Sequence, residues 1–243
     1  MKKETQPTIQ SVVTELPIDV HCEEYKHYDK IIQRFPKQAV YIYSFSEQRM
    51  VFAAGWKDVL GYEDSEINMM LIVNSAAAQY SQSLNELNNK AWCFLSTKTE
   101  KLEEYSFTYE ILRYHKDGSE IPVFSTVGVH KSINGKVDQI IGITQYVPSL
   151  KFGKVMQFAT YGPEKEEFEE SLNKELFHHF AISRKEKEAL QLASKGYAFK
   201  EIANKLGVSQ SAIEKRIIPM YKRFNVKSLT HLISFAYDNH VLP

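Results

Sequence analysis

Apolar side chains recur along this chain with two different periods, and the change of period divides it. Residues 1–20 are polar and interrupted by Pro7 and Pro17, which predicts an extended arm. From Glu23 to Phe35 the residues Tyr25, Tyr28, Ile31, Ile32 and Phe35 fall at helical spacing. They predict one amphipathic helix ended by Pro36, with an apolar stripe that something must cover. Between Gln38 and Val147 the period shortens. Val40–Phe45 and Met50–Ala54 are short β-prone runs separated by the polar residues 46–49, as in a hairpin. Trp56–Tyr62 is too short for a regular helix and closes on Gly61. Ala76–Leu95 carries Tyr80, Leu84, Leu87, Ala91 and Leu95 at spacings of three and four, which predicts a longer helix. Three strands follow, Tyr105–His115, Glu120–Lys131 and Val137–Val147. Their turns, residues 116–119 and Asn134-Gly135, supply the positive-φ residues that tight hairpins need, so the strands form an antiparallel meander.

After residue 150 the helical period returns. Pro163 suits a first helical turn, Glu164, Glu166 and Glu167 suit its dipole, and Phe168, Leu172, Leu176 and Phe177 form a stripe. That helix either transmits a signal or simply docks on a neighbouring domain. Ser183 and Glu186 have the spacing of a capping box, in which the serine hydroxyl accepts from the amide three residues on and the glutamate accepts from the serine amide. The helix they open buries Leu190 and Ala193 and stops at Gly196. Lys200–Leu206 gives two helical turns, Gly207-Val208-Ser209 a tight turn, and Ser209 caps a third helix over Gln210–Phe224. Helix, short helix, glycine-containing turn and helix is the order of a helix-turn-helix.

Charge sharpens the division. The 243 residues balance to zero, yet residues 1–150 hold 15 basic and 19 acidic side chains, residues 151–180 hold 4 and 6, and residues 181–243 hold 11 and 5. The net of +6 on the last segment suits a polyanionic partner, which the acidic body would repel. At 43% hydrophobic and 25% charged the composition is that of a globular chain, and no apolar run approaches the roughly 20 residues of a membrane span. No secretory pattern follows Met1, so a cytoplasmic location without membrane contact is expected. Two cysteines, Cys22 and Cys93, make no disulfide framework and are expected to be reduced.

Within residues 40–147, Gly61-Tyr62 followed by Glu63-Asp64-Ser65-Glu66-Ile67, then His115-Lys116-Asp117-Gly118-Ser119 before a strand, and Gly135-Lys136-Val137 leading into Ile140-Ile141-Gly142-Ile143-Thr144 together resemble a PAS domain. The resemblance implies a five-stranded antiparallel sheet with helices on one face, often enclosing a small-molecule pocket or forming a dimer contact. The flavin-binding photoactive branch places a reactive cysteine soon after the Gly-Tyr element. Here Cys93 lies far downstream, so flavin photochemistry is not expected. Haem would need a histidine from the long helix, and Ala76–Leu95 contains none. No cofactor is expected, with an unidentified small organic ligand left open. Tyr105, Phe107, Tyr109 and Ile111 alternate with polar residues, which describes a packed core and a pocket lining equally well.

Ile182–Leu190, Gly196, Lys200-Glu201-Ile202-Ala203, Leu206-Gly207-Val208-Ser209 and Phe224-Asn225-Val226 resemble the LuxR-type (GerE-like) DNA-binding domain. That resemblance implies a four-helix module whose third helix enters the major groove and whose last helix, about Leu229–Asn239, contributes to dimerisation. From the residues themselves, Ile213, Ile217, Met220 and Phe224 take the core side of the third helix, which leaves Gln210, Ser211, Glu214, Lys215, Ile218 and Lys222 outward, after the capping Ser209. Gln210 suits adenine, Glu214 the cytosine amino group and Ile218 a thymine methyl. Each good bidentate pair is worth about 1–3 kcal/mol. Lys215 suits a base or a phosphate, while Lys200, Arg216, Lys222 and Arg223 suit phosphates. LuxR-type domains often place lysine where Glu214 stands and a polar reader where Ile218 stands, so the preferred DNA sequence does not carry over. Pro219 falls inside the recognition helix and predicts a kink near Lys215–Pro219.

The expected fold is α+β. It comprises an arm and amphipathic helix (1–36), a PAS-like five-stranded antiparallel sheet with flanking helices (37–149), a linker with a helix (150–180) and an all-α four-helix helix-turn-helix domain (181–243). The expected function is a one-component transcriptional regulator that binds double-stranded DNA as a homodimer. The alternative is a protein-interaction adaptor whose basic domain docks an acidic protein. No enzyme is expected, since no nucleophile elbow, P-loop or dinucleotide fingerprint occurs. No metal site is expected either: His178 and His179 diverge on a helix, and His21, Cys22 and His27 lack a fourth ligand.

Overall fold

The computed structural model describes residues 13–16, 18–149, 151–176 and 181–243 and, of residues 173–176, the backbone alone. Helix α1 (Glu23–Ile31) precedes strands β1 (Gln38–Ser44) and β2 (Arg49–Ala54). Short helices α2 (Trp56–Leu60) and α3 (Met69–Asn74) lead to the long α4 (Ala78–Ser96). Strands β3 (Ser106–Tyr114), β4 (Glu120–Ile133) and β5 (Lys136–Tyr146) then form the meander. A further strand β6 (Met156–Tyr161), helix α5 (Lys165–Leu176) and the three-residue β7 (Ala181–Ser183) lead into α6 (Arg184–Ser194), α7 (Phe199–Leu206), α8 (Gln210–Arg223) and α9 (Leu229–Asp238).

The sheet order is β2-β1-β5-β4-β3-β6-β7. Its first five strands are antiparallel and carry helices, as a PAS-like fold requires, and the two added strands correct the expectation of five. Strand β6 pairs antiparallel with β3, Tyr109 opposite Phe158, and β7 runs parallel to β6. The β4–β5 turn places Asn134 at φ 51° and Gly135 at φ 70°, the left-handed pair that a two-residue hairpin loop demands.

Both faces of β1 are covered, which is why its residues 39–44 are buried without alternation. Tyr41 and Tyr43 face the core under α2–α4, and Val40 and Ile42 face α1. On α4 the predicted stripe is realised, with Tyr80, Leu84, Leu87, Ala91 and Leu95 all buried; each large apolar side chain removed from water contributes roughly 1.5–3 kcal/mol. Helix α1 stops short of its expected end. Tyr28 is buried against Phe52 and donates its hydroxyl to Gln139 Oε1 at 2.9 Å, but Ile31 and Phe35 are 59% and 74% exposed. The stripe is therefore covered at Tyr25, Tyr28 and Ile32 but not at Ile31 or Phe35, and Ile32 turns the backbone to an extended conformation that ends the helix.

Helix α5 docks on α4, where Phe168 stacks on Phe94 at 4.6 Å and meets Tyr105 edge-on. Phe168 and Leu172 are fully buried in the core of the sheet domain, while Leu176 and Phe177 lie outside the described side chains. A second core gathers Ile182, Leu190, Ile202, Ile213, Ile217, Met220, Phe224 and Leu232, and Val155, just before β6, is buried in it too. Among the described residues no helix is long and apolar enough to cross a membrane.

Candidate nucleic-acid interface and sensor cavity

The helix-turn-helix is built by three local devices. The Ser183 amide donates to Glu186 Oε2 at 2.9 Å and the Glu186 amide to Ser183 Oγ at 3.3 Å, the capping box read from the sequence. Gly196 and Gly207 take φ 87° and 65°, ending α6 and α7 in the left-handed conformation. Ser209 Oγ accepts from the Ala212 amide at 3.2 Å and so opens α8. Beyond it Ile213, Ile217 and Met220 are fully buried.

The opposite face of α8 carries what the periodicity assigned to it. Gln210, Ser211, Lys215 and Lys222 are exposed, Ile218 is 50% exposed, and Glu214 and Arg216 are half-buried. Gln210 Nε2 donates to Glu214 Oε1 at 2.9 Å, which fixes the two candidate base readers against each other. Ser209, though it caps, keeps its hydroxyl proton to donate, and Lys200 is exposed on α7. The helix runs without a break through Pro219 to Arg223, so the proline does not end it. Ile217 and Met220 on either side are held in the core.

Arg223 requires a correction. Instead of facing outward to a phosphate, its side chain is 3% exposed and forms a two-pronged ion pair with Glu186, Nη2 to Oε1 at 2.9 Å and Nη1 to Oε2 at 3.1 Å. Nη1 also donates to the Ala181 carbonyl at 3.0 Å. The end of α8 is thus tied to β7 and to the cap of α6. The helical spacing of Arg223 from Lys222 puts it one step toward the core, a signal that a list of basic residues near the helix end overlooks.

Beside this face lies a cleft of about 370 Å³ whose walls have opposite charge. Glu166, Glu169 and Glu170 line one side, and Lys215, Arg216 and Pro219 the other. Lys185 reaches across to Glu166 at 3.6 Å and to Glu169 at 4.0 Å. Burial raises the Glu169 carboxyl above its ordinary value, more than Lys185 and Arg216 lower it. The sequence showed the acids of α5 only as partners of a helix dipole.

The sheet domain contains a separate cavity of about 60 Å³ between α3, α4 and the sheet. Tyr41, Leu84, Phe107 and Tyr109 are among its walls, so the aromatic alternation of β3 builds a core and lines a cavity at once. Two steps beyond Ile111 on the same face stands Arg113, 1% exposed. Its Nη1 donates to Ser75 Oγ at 2.7 Å and to the Ile72 carbonyl, and its Nη2 to the Tyr109 hydroxyl at 2.8 Å. The period-two pattern that marked Tyr105–Ile111 runs on to Arg113, so the signal was present. Burial pushes the phenols of Tyr41 and Tyr80 up, that of Tyr80 to about 12. Among the described residues no group of three or more histidine, cysteine, aspartate and glutamate side chains could hold a metal; His178 and His179 lie outside them.

Residues 181–236 match the family model of the bacterial regulatory proteins of the luxR family. No curated protein matches the chain. Among solved structures, the VqmA dimer of Vibrio cholerae, described in the absence of its target DNA, is 16% identical, with 89% of this chain and 87% of that one covered and a TM-score of 0.36. A PAS domain from Colwellia psychrerythraea is 14% identical over 54% of this chain and 100% of that one, with a TM-score of 0.37. The N-terminal domain of a diguanylate cyclase with a PAS/PAC sensor from Marinobacter aquaeolei is 13% identical over 46% and 96%, with a TM-score of 0.36. Likeness at this level bears on neither the sites nor the activity of the present chain. The family match and the architecture together make this a chain in which a PAS-like sheet domain is joined to a helix-turn-helix domain of the luxR family.

Proposed function

We propose that the chain is a one-component transcriptional regulator, in which the sheet domain senses a small molecule and the C-terminal domain binds double-stranded DNA as a homodimer. The observation that carries this reading is the outward face of α8: Gln210, Ser211, Lys215, Ile218 and Lys222 stand exposed on one side of a helix whose other side is packed into a luxR-family domain. Gln210, Glu214 and Ile218 read base edges, Lys215 reaches a base or a phosphate, and Lys200, Arg216 and Lys222 hold phosphates, with Ser209 and Ser211 at the backbone edge of the helix start. Control by the sensor is supported by α5, which packs on α4 through Phe168 and turns Glu166, Glu169 and Glu170 toward Lys215 and Arg216. A shift of α4 carries those carboxylates with it and changes how freely the two cations meet a phosphate.

The test is binding of the full chain to duplexes selected from a random pool, read by fluorescence anisotropy across salt. Log affinity should fall linearly with log salt, because the lysines and arginines that neutralise phosphates release the cations condensed on the duplex. Reversing Lys215 and Lys222 together to glutamate should abolish binding while the far-UV circular dichroism and melting temperature are kept. Undiminished binding would refute the assigned face, and selection of an acidic protein with no duplex recovered would favour an adaptor.

A further inference from the structure

We propose that the cavity of the sheet domain takes a small organic anion, a monocarboxylate of a few heavy atoms, on the guanidinium of Arg113. This rests on the sensor reading above and names the ligand class that reading leaves open. Among the described residues, Arg113 is the only charged side chain lining the cavity, and the remaining walls are apolar or aromatic apart from Asn88 and Ser106. A buried charge is normally met by a carboxylate. Here no carboxylate among the described residues lies within ion-pair distance. The acceptors are the neutral Ile72 carbonyl, Ser75 Oγ and Tyr109 hydroxyl. The buried Nε–H has no partner among the described residues.

Three neutral acceptors do not cancel a charge, but they hold it still. Ser75 Oγ itself donates to the Ile72 carbonyl at 2.8 Å, and the Arg113 guanidinium lies 5.9 Å from the Tyr109 ring centroid. The guanidinium is therefore pinned to the end of α3 and to its own strand with a donor unspent, a geometry suited to planar oxyanions. Size sets the rest. One water needs about 10–15 Å³, so a cavity of about 60 Å³ accepts roughly four to six heavy atoms. The apolar walls favour a short hydrocarbon body behind the carboxylate, with Asn88 and Ser106 as further polar contacts.

The test compares isosteric pairs on the full chain by isothermal titration: propionate against propionamide, isobutyrate against isobutyramide, and pyruvate as a keto acid. At least one acid should bind wild type at least tenfold more tightly than its amide or, for pyruvate, than any amide. Arg113→Lys, which keeps the charge but loses the planar fork, should weaken that acid about tenfold, and Arg113→Met should erase the distinction between acid and amide. Because Arg113→Met also removes buried hydrogen bonds, circular dichroism and Tyr80→Phe, a change outside the cavity walls, serve as controls. Equal or absent binding of acids and amides to folded wild type overturns the proposal, as does an acid preference that survives in Arg113→Met. The DNA assay separates the two readings. If an acid binds through Arg113 without altering duplex affinity, the ligand class stands and the sensor reading falls. If duplexes bind and no acid does, the regulator stands and the ligand class falls.

Discussion

Removing Arg223 while leaving Glu186 in place tests whether the end of α8 is an internal tie or a phosphate contact. An exposed ion pair contributes about 0–1 kcal/mol, but side chains 3% and 6% exposed belong to a different regime. Truncating one partner of a buried pair leaves the other charged and dry, at a cost of about 3–5 kcal/mol. The two nitrogen–oxygen contacts at 2.9 and 3.1 Å place Arg223→Met in that range, and the lost bond to the Ala181 carbonyl adds to it. Changing both partners, Arg223→Met with Glu186→Leu, removes both charges. What then remains is the lost bonds from the Ser183 amide and to the Ala181 carbonyl, about 0.5–1.5 kcal/mol each. The double variant should thus be more stable than either single one, with a coupling of at least about 2 kcal/mol.

The assay is urea unfolding followed by two probes. Both tryptophans, Trp56 and Trp92, belong to the sheet domain, so their fluorescence reports that part, whereas far-UV circular dichroism also reports α6–α9. With a denaturant slope of about 1–2 kcal/mol per molar for so small a domain, Arg223→Met should lower the helical midpoint by at least about 1.5 M and shift the fluorescence midpoint less. A midpoint unchanged within about 0.3 M, or a double variant no better than the single, would refute the buried-pair argument. Salt dependence gives an independent reading. A lost phosphate contact lowers the log–log slope by about 1, and loss of an internal tie leaves it unchanged in whatever fraction is folded.

Glu169 is a second buried charge with the opposite sign of effect. Its folded carboxyl is raised above 4.5 by burial, so the folded state holds the proton more tightly than the unfolded chain. Stability is then greatest below 4.5, falls as pH rises through the folded value, and stays reduced above it. Lys185, Arg216, Glu186 and Ser183 face this carboxyl, and Lys185 retains Glu166, so Glu169→Gln should raise the melting temperature at pH 7 and flatten the curve between pH 4 and 7; an unchanged pH profile would contradict it. Gly142→Ala would place a methyl 2.0 Å from Tyr41 Cε1, forcing the buried ring into the cavity at a cost of about 1–3 kcal/mol, measurable as a lower urea midpoint. Pro219→Ala restores an amide for the Lys215 carbonyl in an otherwise continuous helix and should stabilise α8 by about 1–3 kcal/mol in thermal melts. A loss of stability would show that packing of the prolyl ring outweighs the missing bond.

Local rules made much of this molecule readable. Asn134-Gly135 turns where two left-handed residues in a row are required, Ser183 and Glu186 cap because the box needs nothing distant, and Ile213, Ile217 and Met220 bury at their helical spacing. What escaped depends on neighbours far along the chain. Strand β6 shows only six residues of weak alternation and forms because β3 offers it a free edge, while β7 is three residues long and exists only beside β6. Ile31 ends α1 and Phe35 lies beyond it, and both stand exposed although the periodicity placed them on the buried stripe. Arg113 obeys the alternation of β3, but a charge at a core position is normally assigned to the surface, and only the placement of Ile72 and Ser75 beside it makes the inward position tenable.

The two added strands decide how the halves of the chain are joined. A flexible linker would let the helix-turn-helix tumble independently of the sheet domain. Here β3, which carries Tyr109 and Arg113, is hydrogen-bonded to β6; β6 is paired with β7; and β7 ends at Ser183, the cap of α6. Glu186 in that cap holds Arg223 at the end of α8, and Lys154 donates its amide to Asn239 Oδ1 at 3.1 Å, beside the end of α9. Apart from the exposed Lys154–Asn239 bond, each link is a backbone ladder or a buried, directional pair, and such contacts resist bending far more than a chain of single torsions does. Strand β3 is thus connected to α8 through hydrogen-bonded neighbours rather than through a free segment. The same construction gives Arg223 its place inside the protein: it ties the end of α8 to the cap of α6 and to β7, while Ile213, Ile217 and Met220 hold the helix in its own core.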